Sequence, residues 1–261
     1  MSSLIETTDY DNFHPESYLA AYKWMENRRE DETDLFQFFL DALHAIFSSG
    51  IIKGQRLLDI GTGPTIKTLV SSGMHVDEIY LSDINQENRT ILTSWWMGDV
   101  CLDSEVVDYI LKIENASYSS KERQNMLKRK VRGIFPIDIR SGSPLPKGDH
   151  PSQFDVITTS LCFEAATQNL DEYEKVVQNA ASLLKRGGHL VSLGLLDNDY
   201  YEVGNFKFLC ASLSKDDIER LYKACGFQII NFKTKILDHD QIKNKKMDQW
   251  SGQFALHAVK K

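Results

Sequence analysis

The stretch Leu57-Leu58-Asp59-Ile60-Gly61-Thr62-Gly63-Pro64-Thr65 constrains this chain more than any other. Leu57, Leu58 and Ile60 around Asp59 make a short apolar run of the kind that forms a buried strand. Gly61 and Gly63 then give a turn stripped of side chains, where a ligand can approach the backbone. A helix is expected to start just after it, turning free N–H groups and the positive end of its dipole toward an anion or a carboxylate. A dinucleotide fingerprint would need a third glycine where Ile66 stands. Beyond the acid-x-Gly-x-Gly of Asp59 to Gly63 the chain reaches Asp83, which closes Glu78-Ile79-Tyr80-Leu81-Ser82-Asp83. An acid about 20 residues on, at the end of the next strand, is placed to grip a ribose diol.

Before that turn, Met1 to Phe13 carry few apolar residues and read as a loose arm. A helix is expected from Pro15 to Met25, with the proline tolerated in its first turn. Tyr18 and Tyr22 share one face of it. Thr33 to Phe47 holds an apolar stripe of helical period, ended by Ser48-Ser49-Gly50 and read as packing. After Asp83 a helix runs through Asn88 to Met97. The polar segment from Asp99 to Arg132 reads as a helical insertion with little catalytic content, its last helix opened by the capping box Ser119-x-x-Glu122. Gly133 to Ile139 reads as a strand whose beginning, near Pro136, lies outside the ladder. Asp138 at its end is placed either to accept from an adenine amino group or simply to cap its loop. Phe154 to Ser160 is the next strand, and Leu170 to Leu184 a helix stopped by Gly187-Gly188. His189 to Leu193 is a strand, and Tyr200 to Val203 with Phe206 to Leu209 a hairpin about Gly204-Asn205. A helix from Ser214 to Ala224 and two strands, Phe227 to Leu237 and Gln253 to Val259, complete a doubly wound α/β sheet, mostly parallel, that ends antiparallel. Ligands of such sheets sit outside the carboxyl ends of the strands.

A chain of 261 residues with 42% hydrophobic content can bury one full α/β core. We expect a single domain over 1–261, with 1–50 an N-terminal helical cap or lid and 51–261 the core, the insertion spanning about 99–132. The four cysteines are scattered without a Cys-x-x-Cys pair, which suits reduced thiols in a cytoplasmic protein and offers no zinc site. No apolar run is long enough to span a bilayer, and Met1 to Glu6 lacks the pattern of a leader. A net charge of −7 argues against nucleic acid as partner. The expected protein is a monomer that binds no membrane and no metal.

Several of these segments together resemble the small-molecule amine methyltransferases, which include nicotinamide, phenylethanolamine and indolethylamine N-methyltransferases. The matching pieces are Phe13-His14-Pro15-Glu16-Ser17-Tyr18-Leu19, Leu58 to Ile66, Asp83 with Asn88, Pro136 to Ile139, Leu161-Cys162-Phe163-Glu164-Ala165, Gly187 to Leu190 and the Tyr200-Tyr201 hairpin. They cover nearly the whole chain in order. The resemblance implies a Rossmann-like class I methyltransferase sheet whose cofactor is S-adenosyl-L-methionine. It implies that Asp83 holds the ribose, Asn88 the amino-acid portion, and Asp138 with Ile139 the adenine. Gly61, Thr62, Gly63 and Thr65 would shape the methionine side, Ile84 and Ser160 would line it, and Tyr18 would close over it. Two positions depart from the family. A tyrosine usual after Pro-Thr-Ile is Lys67 here, which either pairs with the cofactor carboxylate or points to water, and Lys23 stands where a second tyrosine belongs.

On the substrate side, nicotinamide methyltransferases carry an acid where this chain has Gly194. The phenylethanolamine branch has acids matching Glu164, Asp197 and Asp248. An alkylammonium has no lone pair to attack a methyl group, so a carboxylate that attracts it must also take its proton. Glu164 is the candidate anchor and proton acceptor, with Asp197 second, and Tyr18, Leu161, Tyr200 and Asp248 complete the expected substrate site. The expectation is an N-methyltransferase of a small amine, aromatic in character. Three rivals stay open: a pyridine or nicotinamide N-methyltransferase, a catalytically silent cofactor-binding protein, and a nicotinamide-dinucleotide dehydrogenase, the last disfavoured by Ile66.

Overall fold

The computed structural model describes residues 4–22, 35–148, 150–237 and 250–261. Its elements, in chain order, are β1 (Ile5–Thr7), a 3-10 turn (Tyr10–Asn12), α1 (Pro15–Ala21), α2 (Leu35–Ser48), β2 (Arg56–Ile60), α3 (Leu69–Ser72), a second 3-10 turn (Gly73–His75), β3 (Glu78–Ser82), α4 (Gln86–Met97), α5 (Ser104–Ile113), α6 (Ser120–Lys130), β4 (Val131–Phe135), β5 (Phe154–Ser160), α7 (Leu170–Leu183), β6 (Leu184–Leu196), β7 (Tyr200–Val203), β8 (Phe206–Leu209), α8 (Lys215–Ala224), β9 (Phe227–Ile236) and β10 (Gly252–Lys260).

Seven strands form the main sheet in the order β4-β3-β2-β5-β6-β10-β9. The β4-β3-β2-β5-β6 part is parallel throughout, and β10 runs antiparallel to both of its neighbours. Side chains alternate across this sheet and feed two cores. Leu57, Ile79 and Val156 face one core with α2, α3 and α5, whereas Leu58, Ile157, Phe254 and Leu256 face the other with α7 and α8. Strand order reverses between β2 and β5, and the loops after β2, β3 and β5 meet at that edge, where a ligand crevice is expected.

The structure differs from the sequence reading at several places. The arm before Phe13 contains β1, which pairs in parallel with β8 over Ile5↔Phe206 to Thr7↔Phe208 and makes a second, three-stranded sheet with β7. The first fifty residues are therefore not wholly helical; α1 ends at Ala21 with Tyr22 as its C-cap, and the rest of the helix expected to run to Met25 lies outside the described residues. No helix follows the glycine turn directly: α3 begins only at Leu69 and has four residues. The strand expected from Gly133 to Ile139 lies earlier, with Pro136 just beyond its end, because a proline has no N–H to give the ladder. The helix caps at Ser119 and Ser214 close as their spacing predicts, each as a reciprocal capping box.

Candidate active site

One cavity of about 180 Å³ opens over the carboxyl ends of the parallel strands. Every residue expected to hold the cofactor lines it: Tyr18, Gly61, Thr62, Gly63, Thr65, Lys67, Asp83, Ile84, Asn88, Asp138, Ile139 and Ser160. Of the expected substrate residues, Tyr18, Leu161 and Glu164 line it as well.

The glycine turn is held by hydrogen bonds to two side chains and one strand carbonyl rather than by a helix dipole. Gly61 and Gly63 have φ of 68° and 67°, a conformation that costs other residues energy. A Cβ on Gly63 would meet nothing within 4 Å, so the cavity comes directly onto its backbone. The expected free N–H groups are largely taken. Thr62 N–H donates to Ser82 O (2.9 Å), Gly63 N–H to Asp83 Oδ2 (2.8 Å) and Ile66 N–H to Asp103 Oδ2 (2.6 Å). Asp59 sits below the turn and accepts from Thr158 Oγ1 (2.5 Å) and Thr68 Oγ1 (2.9 Å), while burial raises its pKa to about 6. It is a strut for the turn.

Asp83 is buried, and its Oδ1 also accepts from Asn85 N–H (2.9 Å) and Asn88 Nδ2 (3.2 Å). Burial pushes its carboxyl up, against the hydrogen bonds that pull it down. Asn88 Oδ1 is buried with no partner among the described residues, an acceptor left over for a ligand donor. Asp138 caps its own loop through Arg140 N–H (3.0 Å) and takes both arms of the Arg140 guanidinium at 2.9 Å. Burial raises that carboxyl, but the bonds from Arg140 outweigh it and hold the pKa below the usual value. Buried Ile137 and Ile139 flank Asp138 with the apolar surface that a flat aromatic ring requires.

Lys67 does not point to water. Its side chain is buried, with Nζ 3.7 Å from the centroid of the Phe36 ring and donating to Tyr22 O (3.4 Å). Phe36, Phe39, Leu40 and Leu43 of α2 line the cavity, so the stripe read as packing is also a wall. Tyr18 and Tyr22 stand with centroids 5.0 Å apart, and burial pushes both phenols up.

Besides Asp83 and Asp138, the cavity is lined by the carboxylate of Glu164. It lies in the loop after β5, which begins at Leu161 with φ 55° and is pinned by Leu161 N–H to Leu193 O (2.9 Å) and Ala211 N–H to Glu164 O (3.1 Å). The side chain is 4% exposed and Oε1 accepts from Leu195 N–H at 3.3 Å. Burial raises its pKa from the ordinary 4.5 to about 7, with backbone N–H groups opposing. Gly194 makes room for it: a Cβ there would stand 2.4 Å from Glu164 Oε1 and 2.5 Å from the Phe254 ring.

Asp197 and Tyr200 are not brought to the cavity. Asp197, with φ 55°, is exposed and its carboxylate takes the Ser251 hydroxyl. Asn198, one residue on, lines the wall instead. Tyr200 lies under Lys207 Nζ (4.3 Å), and its neighbour Tyr201 lines the cavity in its place. Asp248 lies outside the described residues. The sequence reading missed Tyr10, whose hydroxyl donates to Ala165 O (2.5 Å), and Asn85, whose Nδ2 donates to Tyr10 O (3.1 Å). It also missed Cys210, paired through Sγ with Asn198. Of these, Asn85 carried a signal, as an N-cap residue two positions after Asp83. Among the described residues no group of His, Cys, Asp and Glu could hold a metal ion.

Residues 2–261 match the NNMT/PNMT/TEMT family. The chain belongs to that family. It is 31% identical over 224 residues to nicotinamide N-methyltransferase of Homo sapiens, covering 85% of this chain and 84% of that one. It is 32% identical over 220 residues to indolethylamine N-methyltransferase of Oryctolagus cuniculus (84% and 83%) and 26% over 232 residues to phenylethanolamine N-methyltransferase of Sus scrofa (87% and 82%). Among solved structures, the fold is similar to magnesium protoporphyrin IX methyltransferase from Synechocystis PCC 6803 with bound S-adenosylmethionine, at a TM-score of 0.56 and 13% identity over 97% of this chain and 93% of that one. The fold is Rossmann-like.

Proposed function

We propose that this family member, an S-adenosylmethionine-dependent N-methyltransferase, acts on a small amine, aromatic in character, that binds as a cation and is deprotonated by Glu164. The observation that carries the reading is a buried carboxylate of raised pKa lining a cavity whose other walls are mostly aromatic and aliphatic.

The residues present suit the cofactor. The buried acceptors Asp83 and Asn88 Oδ1 answer hydroxyl and ammonium donors, the Ile137 to Ile139 segment answers the adenine, and Lys67 answers a carboxylate. When bound, S-adenosylmethionine supplies an electrophilic methyl group on a sulfonium. Gly61, Gly63 and Thr65 would let its methionine side approach the backbone, and Tyr18 would cover it.

The substrate nitrogen must present a lone pair, and Glu164 meets that demand by holding the cation and accepting its proton at Oε1 or Oε2. For an alkylamine of pKa about 10.4, transfer to an ordinary carboxylate is uphill by about 8 kcal/mol; transfer to one of pKa about 7 is uphill by about 5 kcal/mol. Burial of Glu164 thus removes roughly two fifths of the cost before the substrate's own desolvation lowers it further. The aromatic rings of Tyr18 and Tyr22 would hold an apolar substrate body, with their faces open to a cation. Gly194 weighs against the nicotinamide reading, since any side chain there collides with Glu164 and Phe254.

Methyl transfer from labelled S-adenosylmethionine to phenylethanolamines, indolethylamines, aliphatic amines and nicotinamide tests this reading. Turnover on protonated amines without nicotinamide is the expected result. Turnover on nicotinamide alone overturns it, and cofactor binding with silence across the panel replaces it by a binding protein.

A further inference from the structure

The insertion of α5 and α6 contributes no side chain to the cavity, yet one of its residues reaches the glycine turn. Asp103 occupies the N-cap position of α5, where an aspartate ordinarily accepts from its own helix. It makes no such bond and stands in the left-handed region, φ 50° and ψ 35°. Its carboxylate turns away from the helix to accept Ile66 N–H at 2.6 Å. Burial pushes this carboxyl up, while the charge of Lys67 and the Ile66 N–H pull it down. Three residues earlier in the turn, Asp83 Oδ2 accepts Gly63 N–H at 2.8 Å. Two aspartates, 20 and 37 residues along the chain from the groups they bind, therefore hold the segment at two points, Gly63 and Ile66. The helix after the turn has four residues and cannot supply that restraint.

We propose that Asp103 is a positioning residue for the cofactor: it forgoes capping α5 to hold the Ile66–Lys67 end of the glycine turn, so that the insertion sets the affinity for S-adenosylmethionine. Ile66 N–H and the buried Lys67 are adjacent in the chain, so a turn released at Ile66 also displaces the cation that lines the cavity.

Two substitutions separate this role from a merely structural one. D103G removes the acceptor while keeping a residue that adopts φ 50° freely, and D103N keeps an oxygen acceptor and a side chain that tolerates the same backbone. Binding is read by titration calorimetry of S-adenosylmethionine into the full chain without any amine, so the outcome is independent of the substrate reading above. Amide hydrogen exchange at Ile66 is followed by NMR in the cofactor-free protein. The expected result is a slowly exchanging Ile66 amide in the parent, at least tenfold faster exchange and about tenfold weaker binding in D103G, and binding within threefold of the parent in D103N. Unchanged affinity in D103G overturns the proposal, as does equal weakening in both variants, which would assign the effect to charge rather than to the hydrogen bond. If D103G does not fold, rapid exchange of Ile66 in the parent overturns it by itself.

Discussion

Replacing Glu164 by glutamine keeps the shape of the side chain and removes its charge and its ability to take a proton. If Glu164 is the proposed proton acceptor, turnover needs an ionised Glu164 and a protonated amine, so kcat/KM should rise through a pKa near 7, hold a plateau and fall again as the free amine deprotonates near its own pKa of about 10. The variant can use only the neutral amine, about one part in 2,500 at pH 7 for a pKa of 10.4. Its kcat/KM should therefore fall on the order of 10²- to 10³-fold at pH 7 and climb with unit slope, closing on the parent near pH 10. Stability gives a second, independent readout. A carboxyl raised from 4.5 to about 7 favours the folded state while protonated, so its contribution is intact below pH 4.5 and is lost between there and pH 7. At pH 8 the buried charge costs the parent about 3 kcal/mol, and E164Q should be the more stable protein there by up to that amount, with no advantage at pH 4. Initial-rate profiles from pH 6 to 10 and urea melts at pH 4 and 8 check both. A variant that loses the same factor at pH 7 and pH 10, or keeps its turnover at pH 7, refutes Glu164 as proton acceptor.

Two glycines yield further tests. Gly194→Ala places a methyl against Glu164 Oε1 and the Phe254 ring, so thermal melts should show a loss of about 1–3 kcal/mol, and the pH 7 limb of the rate profile should shift as Glu164 is displaced. Gly61→Ala combines a left-handed backbone costing about 1–2 kcal/mol with a Cβ 2.2 Å from Cys162 Sγ. Adding Cys162→Ala should recover only part of the loss, because the Cys162 Cβ itself stands 2.6 Å from that methyl; full recovery in denaturant melts would contradict the clash.

The part of the cavity proposed for the cofactor was legible because its signals are local. Gly61, Gly63 and Asp83 belong to a strand, a turn and the next strand within 25 residues, and their order alone places them on one edge of a sheet. The substrate half depends on irregular backbone. At Asp197 a left-handed φ turns one side chain out and the next in, so the acid faces water and Asn198 faces the cavity. On β7 the two-residue period guarantees that Tyr200 and Tyr201 face opposite ways, and no sequence pattern says which faces inward. The β1 strand has three residues and a partner about 200 positions away, so nothing near it announced a strand. Nothing in the polar segment around Asp103 marked that residue, since its bond to Ile66 is a tertiary contact 37 residues distant.

The position of β10 bears on how the molecule is assembled. It fills the slot between β6 and β9, although it follows both in the chain. Until residues 252–260 have been added, β6 shows the long buried run Leu190 to Leu196 at a bare edge, and β9 lacks its neighbour in the sheet. An unpaired apolar edge of that length invites pairing with other chains. A polypeptide that stops short of Gly252 should for this reason aggregate rather than yield a slightly weakened enzyme. The strand that joins β9 to the parallel strands thus acts as a checkpoint on synthesis through residues 252–260, even though what it brings near the candidate site is little more than the Phe254 ring beside Gly194.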